Sequence, residues 1–325
     1  RGFFMFLAKN ETGQQVLAVD GQKGVNYFCS VCDSPVILKY GKIKVPHFSH
    51  QHIEHCTRYL YKRESLRHLQ LKHDLYKELN NYFNIAMEYY LADIDQIPDL
   101  LINHHTALEI QLSRISPDLL SSRSRGYYKQ GIDVIWLLED KKIKKEGGLL
   151  KLNHFQISAI TKGGLYTISE ADSLIKRYDI RHHLGFNRFT YKLEEVPYPQ
   201  ILKARQSTVD LGYFKMTRDQ IKYLVEKERA QRSVLNPTLS YMYQLNFQVK
   251  DLPKFLYFVS PLEKYILNSP LEWKLYIYYH TSRNRFALND FRRFIKLRVM
   301  SDLPDRDFLI DQLLRFYINI FRFSE

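Results

Sequence analysis

The sequence predicts an α/β protein of the α+β type that is built from three parts. All three cysteines lie within the first sixty residues, among short strand-like runs. The middle of the chain reads as helix, three strands, helix, strand, and the pattern after Pro197 is mostly helical. We therefore predict a β-rich module at 1–60, an αβββαβ core at 61–150 and a mainly helical domain at 151–325. An extension of the core to about residue 195 stays open.

Composition places the chain among ordinary soluble proteins, with 45% hydrophobic and 26% charged residues. No stretch is apolar for long enough to predict a transmembrane helix. The apolar start of the chain is interrupted at Lys9, which makes it too short for the core of a signal peptide. We expect a cytoplasmic protein that does not act in a membrane.

The net charge of +13 is concentrated in the second half of the chain, since residues 151–325 carry ten of these charges. A basic surplus favours polyanions, because each neutralised phosphate releases counterions. Nucleic acid is the natural candidate partner, although many basic proteins bind none.

The N-terminal module has the residues of a zinc site. Strands are predicted at 5–8, 15–19, 27–28 and 36–40, with turns between them. Paired cysteines followed by paired histidines suit a tetrahedral Zn²⁺ that folds a small module. The candidate ligands are Cys29, Cys32, His47, His50 and Cys56. Since five residues compete for four places, one of His47 and His50 is expected beside the ligands or in contact with substrate.

The core begins with an amphipathic helix from about residue 63, on which Glu64 and His68 share one face. Strands are predicted at 85–91, 97–102 and 107–112. A second helix starts at Ser116-Pro117 and ends near Gly131, before a buried strand at 132–138.

Two acids of this core are predicted to meet at one edge of the sheet. Asp99 lies on the second strand, and Glu109 and Gln111 lie on the third with the same facing. Two carboxylates in an apolar setting need a cation or a proton to offset their repulsion. Mg²⁺ or Mn²⁺ bound to Asp99 and Glu109 is the simplest solution.

The spacing of Pro98-Asp99 and Glu109-Ile110-Gln111 resembles the PD-(D/E)xK motif of restriction-endonuclease-like nucleases. Further motifs resemble the competence protein CoiA family over residues 5 to about 155. They are CSVC (29–32), HFSH (47–50) with Cys56, ESLRHLQLKH (64–73), LEIQLS (108–113) and GYYKQGIDVIWLL (126–138).

The resemblance implies a restriction-endonuclease-like core and a role in natural transformation. The catalytic positions of the family fall on Glu64, Asp99, Glu109 and Gln111, with the acids holding a divalent ion that activates water. Gln111 replaces the usual lysine and cannot supply its charge. His68 orients the water or a phosphate, or else is a polar residue packed beside the helix start.

Two groups of basic residues are candidates for holding DNA phosphates. For each residue of the first group, which borders the presumed cleft, the alternative is a solvated helix face. The first group is Arg114, Arg123, Arg125 and Lys129. The second lies among the C-terminal aromatics, most of which are expected to be core, and is Arg292, Arg293, Lys296 and Arg298. The segment 141–148, KKIKKEGG, is predicted to be a linker or surface loop, and no nucleotide-binding motif is present.

Three functions fit these features. The first is a metal-dependent nuclease or DNA-processing protein that acts on recombination intermediates, with single-stranded or branched DNA as substrate. The second is a non-catalytic adaptor that binds DNA or a recombinase of the RecA type. The third, hydrolysis at the zinc itself, is disfavoured because protein ligands suffice to close that site.

Overall fold

The computed structural model describes residues 5–41, 45–51, 56, 65–169, 174–203, 212–233 and 235–322. The N-terminal module is an antiparallel sheet of five strands in the order β2-β1-β3-β4-β5. These strands are β1 Leu7–Lys9, β2 Gln15–Leu17, β3 Tyr27–Phe28, β4 Pro35–Lys39 and β5 His47–His50. Asp33 takes a left-handed conformation, with φ 55°, in the tight turn between β3 and β4.

A nine-stranded mixed sheet forms the centre of the protein, in the order β10-β11-β14-β13-β12-β9-β8-β7-β6. Its members are β6 Ile85–Met87, β7 Leu100–Ile102, β8 Thr106–Gln111, β9 Asp133–Glu139, β10 Lys144–Glu146, β11 Leu149–Lys151, β12 Gly164–Ile168, β13 Ile175–His183 and β14 Arg188–Glu195. Strand β9 runs parallel to both β8 and β12, and the other pairs are antiparallel.

Two helices cover opposite faces of this sheet. Helix α1, Leu66–Leu79, starts at the cap Ser65, and helix α2, Pro117–Lys129, starts at the cap Ser116. Leucines of α1 pack with Leu108 of β8, whereas α2 packs with Ala107, because alternate residues of a strand point to opposite faces. The order α1, β6, β7, β8, α2, β9 confirms the predicted αβββαβ core.

The first two strands of the core are shorter than predicted. Strand β6 stops at Met87 because Glu88 has φ 53°, a left-handed value. A short 3-10 helix, Ala92–Ile94, follows, and Asp99 consequently lies just before β7 instead of within it.

The sheet also continues past residue 150, which lies within β11, and ends at Glu195 in β14. The segment 141–148 is therefore not a linker. It contributes the end of a 3-10 helix, Asp140–Lys142, and the edge strand β10.

The remaining chain is mainly helical, as expected. Its helices are α4 Arg218–Ala230, α5 Pro237–Gln244, α6 Glu272–Thr281, α7 Leu288–Phe294 and α8 Arg306–Arg322, with a ribbon of β15 Phe214–Lys215 and β16 Phe258–Val259, whereas the short helix α3 His154–Ser158 lies earlier, between β11 and β12. Short 3-10 helices lie at Tyr198–Gln200, Val249–Asp251, Lys254–Tyr257 and Pro261–Tyr265. Aromatic residues such as Trp273 and Phe291 fill its core. None of the helices seen in the described ranges is both long and apolar enough to cross a lipid bilayer.

Candidate functional site

Four residues of the N-terminal module form a ligand cluster. The ligand atoms of Cys29, Cys32, His50 and Cys56 all lie within 4.8 Å of one another. The Sγ atoms of Cys29 and Cys56 are 4.0 Å apart, and Cys32 Sγ is 3.4 Å from His50 Nε2. With Zn–S bonds of about 2.3 Å, two thiolates on one tetrahedral zinc are about 3.8 Å apart. The cluster is therefore compatible with a structural zinc ion.

His47 and His50 are separated by the geometry of strand β5. Residues three apart on a strand point to opposite faces, so only one of the two can reach the cysteines. His50 does so, while His47 is buried with its Nδ1 2.8 Å from the carbonyl oxygen of Val45. The prediction that His47 is a candidate ligand is thus not supported by this arrangement.

Asp99 is held at the edge of the central sheet by groups from α1 and β8. Its Oδ2 accepts a hydrogen bond of 2.8 Å from the backbone N–H of Ile110 and lies 3.2 Å from His68 Nε2. Lys72 Nζ lies 3.5 Å from Oδ1. Asp99 is only 1% exposed, so its environment is set by the protein and hardly by bulk water.

A second buried acid shares this lysine. Lys72 donates a 2.6 Å hydrogen bond to Oε1 of Glu88, and both side chains are fully buried. The other oxygen of Glu88 accepts from the backbone N–H of Phe6, at 3.1 Å, while its own N–H donates to the carbonyl of Asp99. Glu88 therefore connects the N-terminal module to the core and to Asp99.

Glu109 is turned towards α2 and is engaged there. Its carboxylate pairs with the guanidinium of Arg123 and accepts a hydrogen bond from the hydroxyl of Tyr127. Burial alone would lower the pKa of Arg123, but the charges of Glu109, Tyr127 and Asp99, together with the hydrogen bond to Tyr127, outweigh it and raise that pKa. Burial, followed by the charge of Glu109, raises the pKa of Tyr127 well above its usual value. The arginine stays charged and the phenol stays protonated.

These contacts bear on two predictions. In the structure, Lys72 beside Asp99 and Arg123 beside Glu109 supply the positive charge that offsets the repulsion between the two acids. Arg123 was predicted to contact a phosphate or else to lie on a solvated helix face, and its position supports neither: its side chain is 12% exposed, pairs with Glu109 and packs over the ring of Trp136.

The remaining predicted catalytic positions of the core are Gln111 and Glu64. Gln111 donates from its amide to the carbonyl of Ser113 at 2.9 Å, which turns it along the end of its own strand. Glu64 lies outside the described residues. Within the described part of the chain, neither Asp99 nor Glu109 belongs to a group of three or more His, Cys, Asp or Glu side chains close enough to share one ion.

Sequence reasoning missed Lys72 and Glu88. Lys72 was detectable, because it follows His68 by four residues and so shares its face of the helix. Glu88 was not, since a residue expected inside a strand gives no sign that it turns into a left-handed conformation.

The predicted phosphate contacts divide by exposure. Arg292, half-buried, lies 3.3 Å from Asp307. Five others are at the surface: Arg114, Arg125, Lys129, Arg293 and Lys296.

Arg298 does not share a basic surface with Arg292, Arg293 and Lys296, the other predicted phosphate contacts of its group. It is 4% exposed, it donates to Oδ1 of Asn187 at 2.7 Å, and its Nη2 lies 3.0 Å from His183 Nε2. Burial lowers the pKa of Arg298 to about 10 and, together with the charge of Arg298, lowers that of His183. Arg298 thus joins the C-terminal helices to β13 and β14.

Comparisons with known proteins agree with this layout. The family model "Competence protein CoiA, nuclease-like domain" matches residues 64–170, and "Competence protein CoiA, N-terminal domain" matches residues 9–59. A curated relative, Competence protein CoiA of Bacillus subtilis (strain 168), is 32% identical over 123 residues. That match covers 37% of this chain and 33% of the relative, so the similarity spans about a third of the relative's length. No solved structure matches the chain.

Proposed function

Because the chain belongs to the competence protein CoiA family and carries its nuclease-like domain, we propose that it hydrolyses DNA during natural transformation. In this proposal the substrates are single-stranded or branched recombination intermediates. Asp99 and Glu109, with Glu64 as a further acid, would hold Mg²⁺ or Mn²⁺, which would compete with Lys72 and Arg123 for these carboxylates.

The buried charges around Asp99 carry this proposal. Burying ions costs several kcal/mol each, and apolar residues of similar volume would stabilise the fold at least as well. Asp99, Lys72 and Glu88 are nevertheless all buried, with His68 only 14% exposed beside them. Ionisable groups that are held together in a buried cluster are candidates for a functional site.

The residues at this edge suit phosphodiester hydrolysis. Water oxygen bonds to phosphorus, one P–O ester bond breaks, the attacking water loses a proton, and the leaving oxygen gains one. A divalent ion lowers the pKa of its bound water and balances charge on the phosphorus oxygens. In this proposal His68, 3.2 Å from Asp99, would accept the proton, and Lys72, 3.5 Å from Asp99, would supply from α1 the positive charge that Gln111 cannot.

A second function is favoured by the contacts of Glu109. Arg123 and Tyr127 occupy one oxygen of its carboxylate, and a metal ion would compete with that arginine for the acid. A chain in which this pair never opens would bind DNA, or a recombinase of the RecA type, without cutting.

The test is cleavage and binding measured together on linear, single-stranded and branched DNA. The wild-type chain is compared with Asp99→Asn and Glu109→Gln, and Asp93→Asn is the matched control because that carboxylate is exposed. Divalent metal is omitted, or supplied as Mg²⁺, Mn²⁺ or Ca²⁺, without a chelator that would also strip the cysteine cluster.

We expect cutting that needs Mg²⁺ or Mn²⁺, that is lost in both site variants and that persists in the control. Binding by every protein with no cutting under any condition would refute the nuclease and support the adaptor.

A further inference from the structure

A second group of charges lies at the carboxyl ends of the parallel strands β8, β9 and β12. Glu139 is the last residue of β9 and is 2% exposed. Arg67 from the first turn of α1, and Lys141 and Lys142 from the 3-10 helix after β9, all pair with its carboxylate. The two lysine Nζ atoms are 2.7 Å and 2.6 Å from its oxygens.

This cluster adjoins the site around Asp99, Glu109 and Gln111, here called the nuclease-like site. Leu138, next to Glu139, pairs in register with Gln111 of β8. Lys142 also donates a 2.6 Å hydrogen bond to the carbonyl of Leu112, one residue beyond that strand. In open α/β sheets, ligands bind outside the carboxyl ends of the strands, which is where these cations lie.

From this arrangement we infer that Arg67, Lys141 and Lys142 form a phosphate-binding site for a nucleic-acid strand, with Glu139 as the anchor that holds them in place. The inference deepens the proposed function and rests on it for the identity of the ligand as DNA. It assigns a role that the acids of the nuclease-like site cannot fill, because carboxylates repel phosphate.

Charge and geometry both support the assignment. Three cations converge on a single carboxylate, and the neighbouring acid, Asp140, is bound instead by Lys176, Thr167 and Tyr178. The anchor stays charged: burial alone would raise the pKa of Glu139, but the hydrogen bonds from the lysines and Arg67 lower it to about 2.

The cations are also accessible. The side chains of Arg67, Lys141 and Lys142 are 41%, 65% and 54% exposed, whereas their anchor is buried. Long side chains that are already held in place lose less freedom on binding, so a preformed cluster binds phosphate better than three separate surface cations.

The experiment measures binding of short single strands labelled with a fluorophore, as a function of salt, without added divalent metal or chelator. The variant Lys141→Gln with Lys142→Gln is compared with Lys222→Gln and Lys250→Gln. The control lysines are 67% and 75% exposed and lie on the C-terminal domain, so both proteins lose two charges from the surface.

We expect about tenfold weaker binding in the site variant, the loss typical of a charge-assisted hydrogen bond. The slope of log K against log salt should fall by about 0.7 for each phosphate that the variant no longer neutralises. The control should change neither quantity by as much. Lys142→Arg should retain the affinity, which separates weaker phosphate binding from misfolding.

Strands with and without a 5′-phosphate distinguish the source of the ligand. A loss confined to phosphorylated strands assigns the site to a terminal phosphate, and an equal loss on both assigns it to the backbone; either supports the inference. Equal affinity and slope for site and control variants, or no binding by the wild type, would overturn it. Failure of the proposed function would look different, because the chain would still bind DNA but would not cut it when Mg²⁺ or Mn²⁺ is supplied.

Discussion

Replacing Lys72 by Met tests whether this lysine neutralises the buried acids. At an effective dielectric constant of about 20, its attraction is about 6 kcal/mol to Glu88 at 2.6 Å and about 5 kcal/mol to Asp99 at 3.5 Å. Desolvation of each ion removes several kcal/mol of this gain. The net cost of Lys72→Met, which leaves two buried carboxylates without their shared cation, should be about 3–5 kcal/mol in the free energy of unfolding.

Urea denaturation between pH 5 and 8 measures this cost. In the variant, the two buried acids lose their shared cation and burial favours their protonated forms, so the destabilisation should shrink as the pH falls and they take up protons. The double variant with Glu88→Gln removes one acid and should be more stable than Lys72→Met alone. A cost below about 1 kcal/mol, or one that does not change with pH, would refute the assignment of Lys72 as the neutralising cation.

Three further outcomes are expected. Metal analysis should give one zinc per chain in the wild type and in His47→Gln but less in His50→Gln; equal zinc content in both variants would contradict the separation of the two histidines by strand β5. Arg298→Met should cost about 2–4 kcal/mol in urea denaturation, because it removes the partner of the buried His183 ring and of the half-buried Asn187 amide oxygen, while Arg293→Met should leave stability unchanged. The stability that Glu139 contributes is present above its unfolded pKa of 4.5 and is lost as the pH falls towards 2, so thermal melts of Glu139→Gln should show less loss of stability over this pH range than those of the wild type. The full pKa shift corresponds to about 3 kcal/mol, which screening at the exposed lysines reduces to about 1–2 kcal/mol.

The order of elements in the core was predictable because local rules agree there with the final structure. Ser116-Pro117 starts α2 by capping, and Gly131, with φ +68°, follows its end. Alternation along β8 also placed Glu109 and Gln111 on one face. The zinc cluster was predictable from ligand spacing, apart from the choice between two histidines that only a strand assignment resolves.

The partners of the acids were less predictable, because they depend on which helix face meets the sheet. Lys72 and Arg123 read as ordinary polar positions of amphipathic helices, yet both are inside. Arg298 was misplaced for the same reason, since a basic residue near other basic residues looks like surface until a neighbouring domain covers it. Glu139 lies at the end of an apolar run, where sequence alone suggested only the close of a strand.

The hydrogen bond from Phe6 to Glu88 bears on how this protein can be divided. The two CoiA family models end and begin near residue 60, which invites truncation there. A core expressed alone would lose the amide that satisfies one oxygen of a fully buried carboxylate, and with it the ring of Phe6 that lies 5.6 Å from the Lys72 ammonium. The N-terminal module thus covers one side of the buried charges of the core through Phe6. A fragment without this module is therefore a poor substitute for the intact chain in any assay of its chemistry.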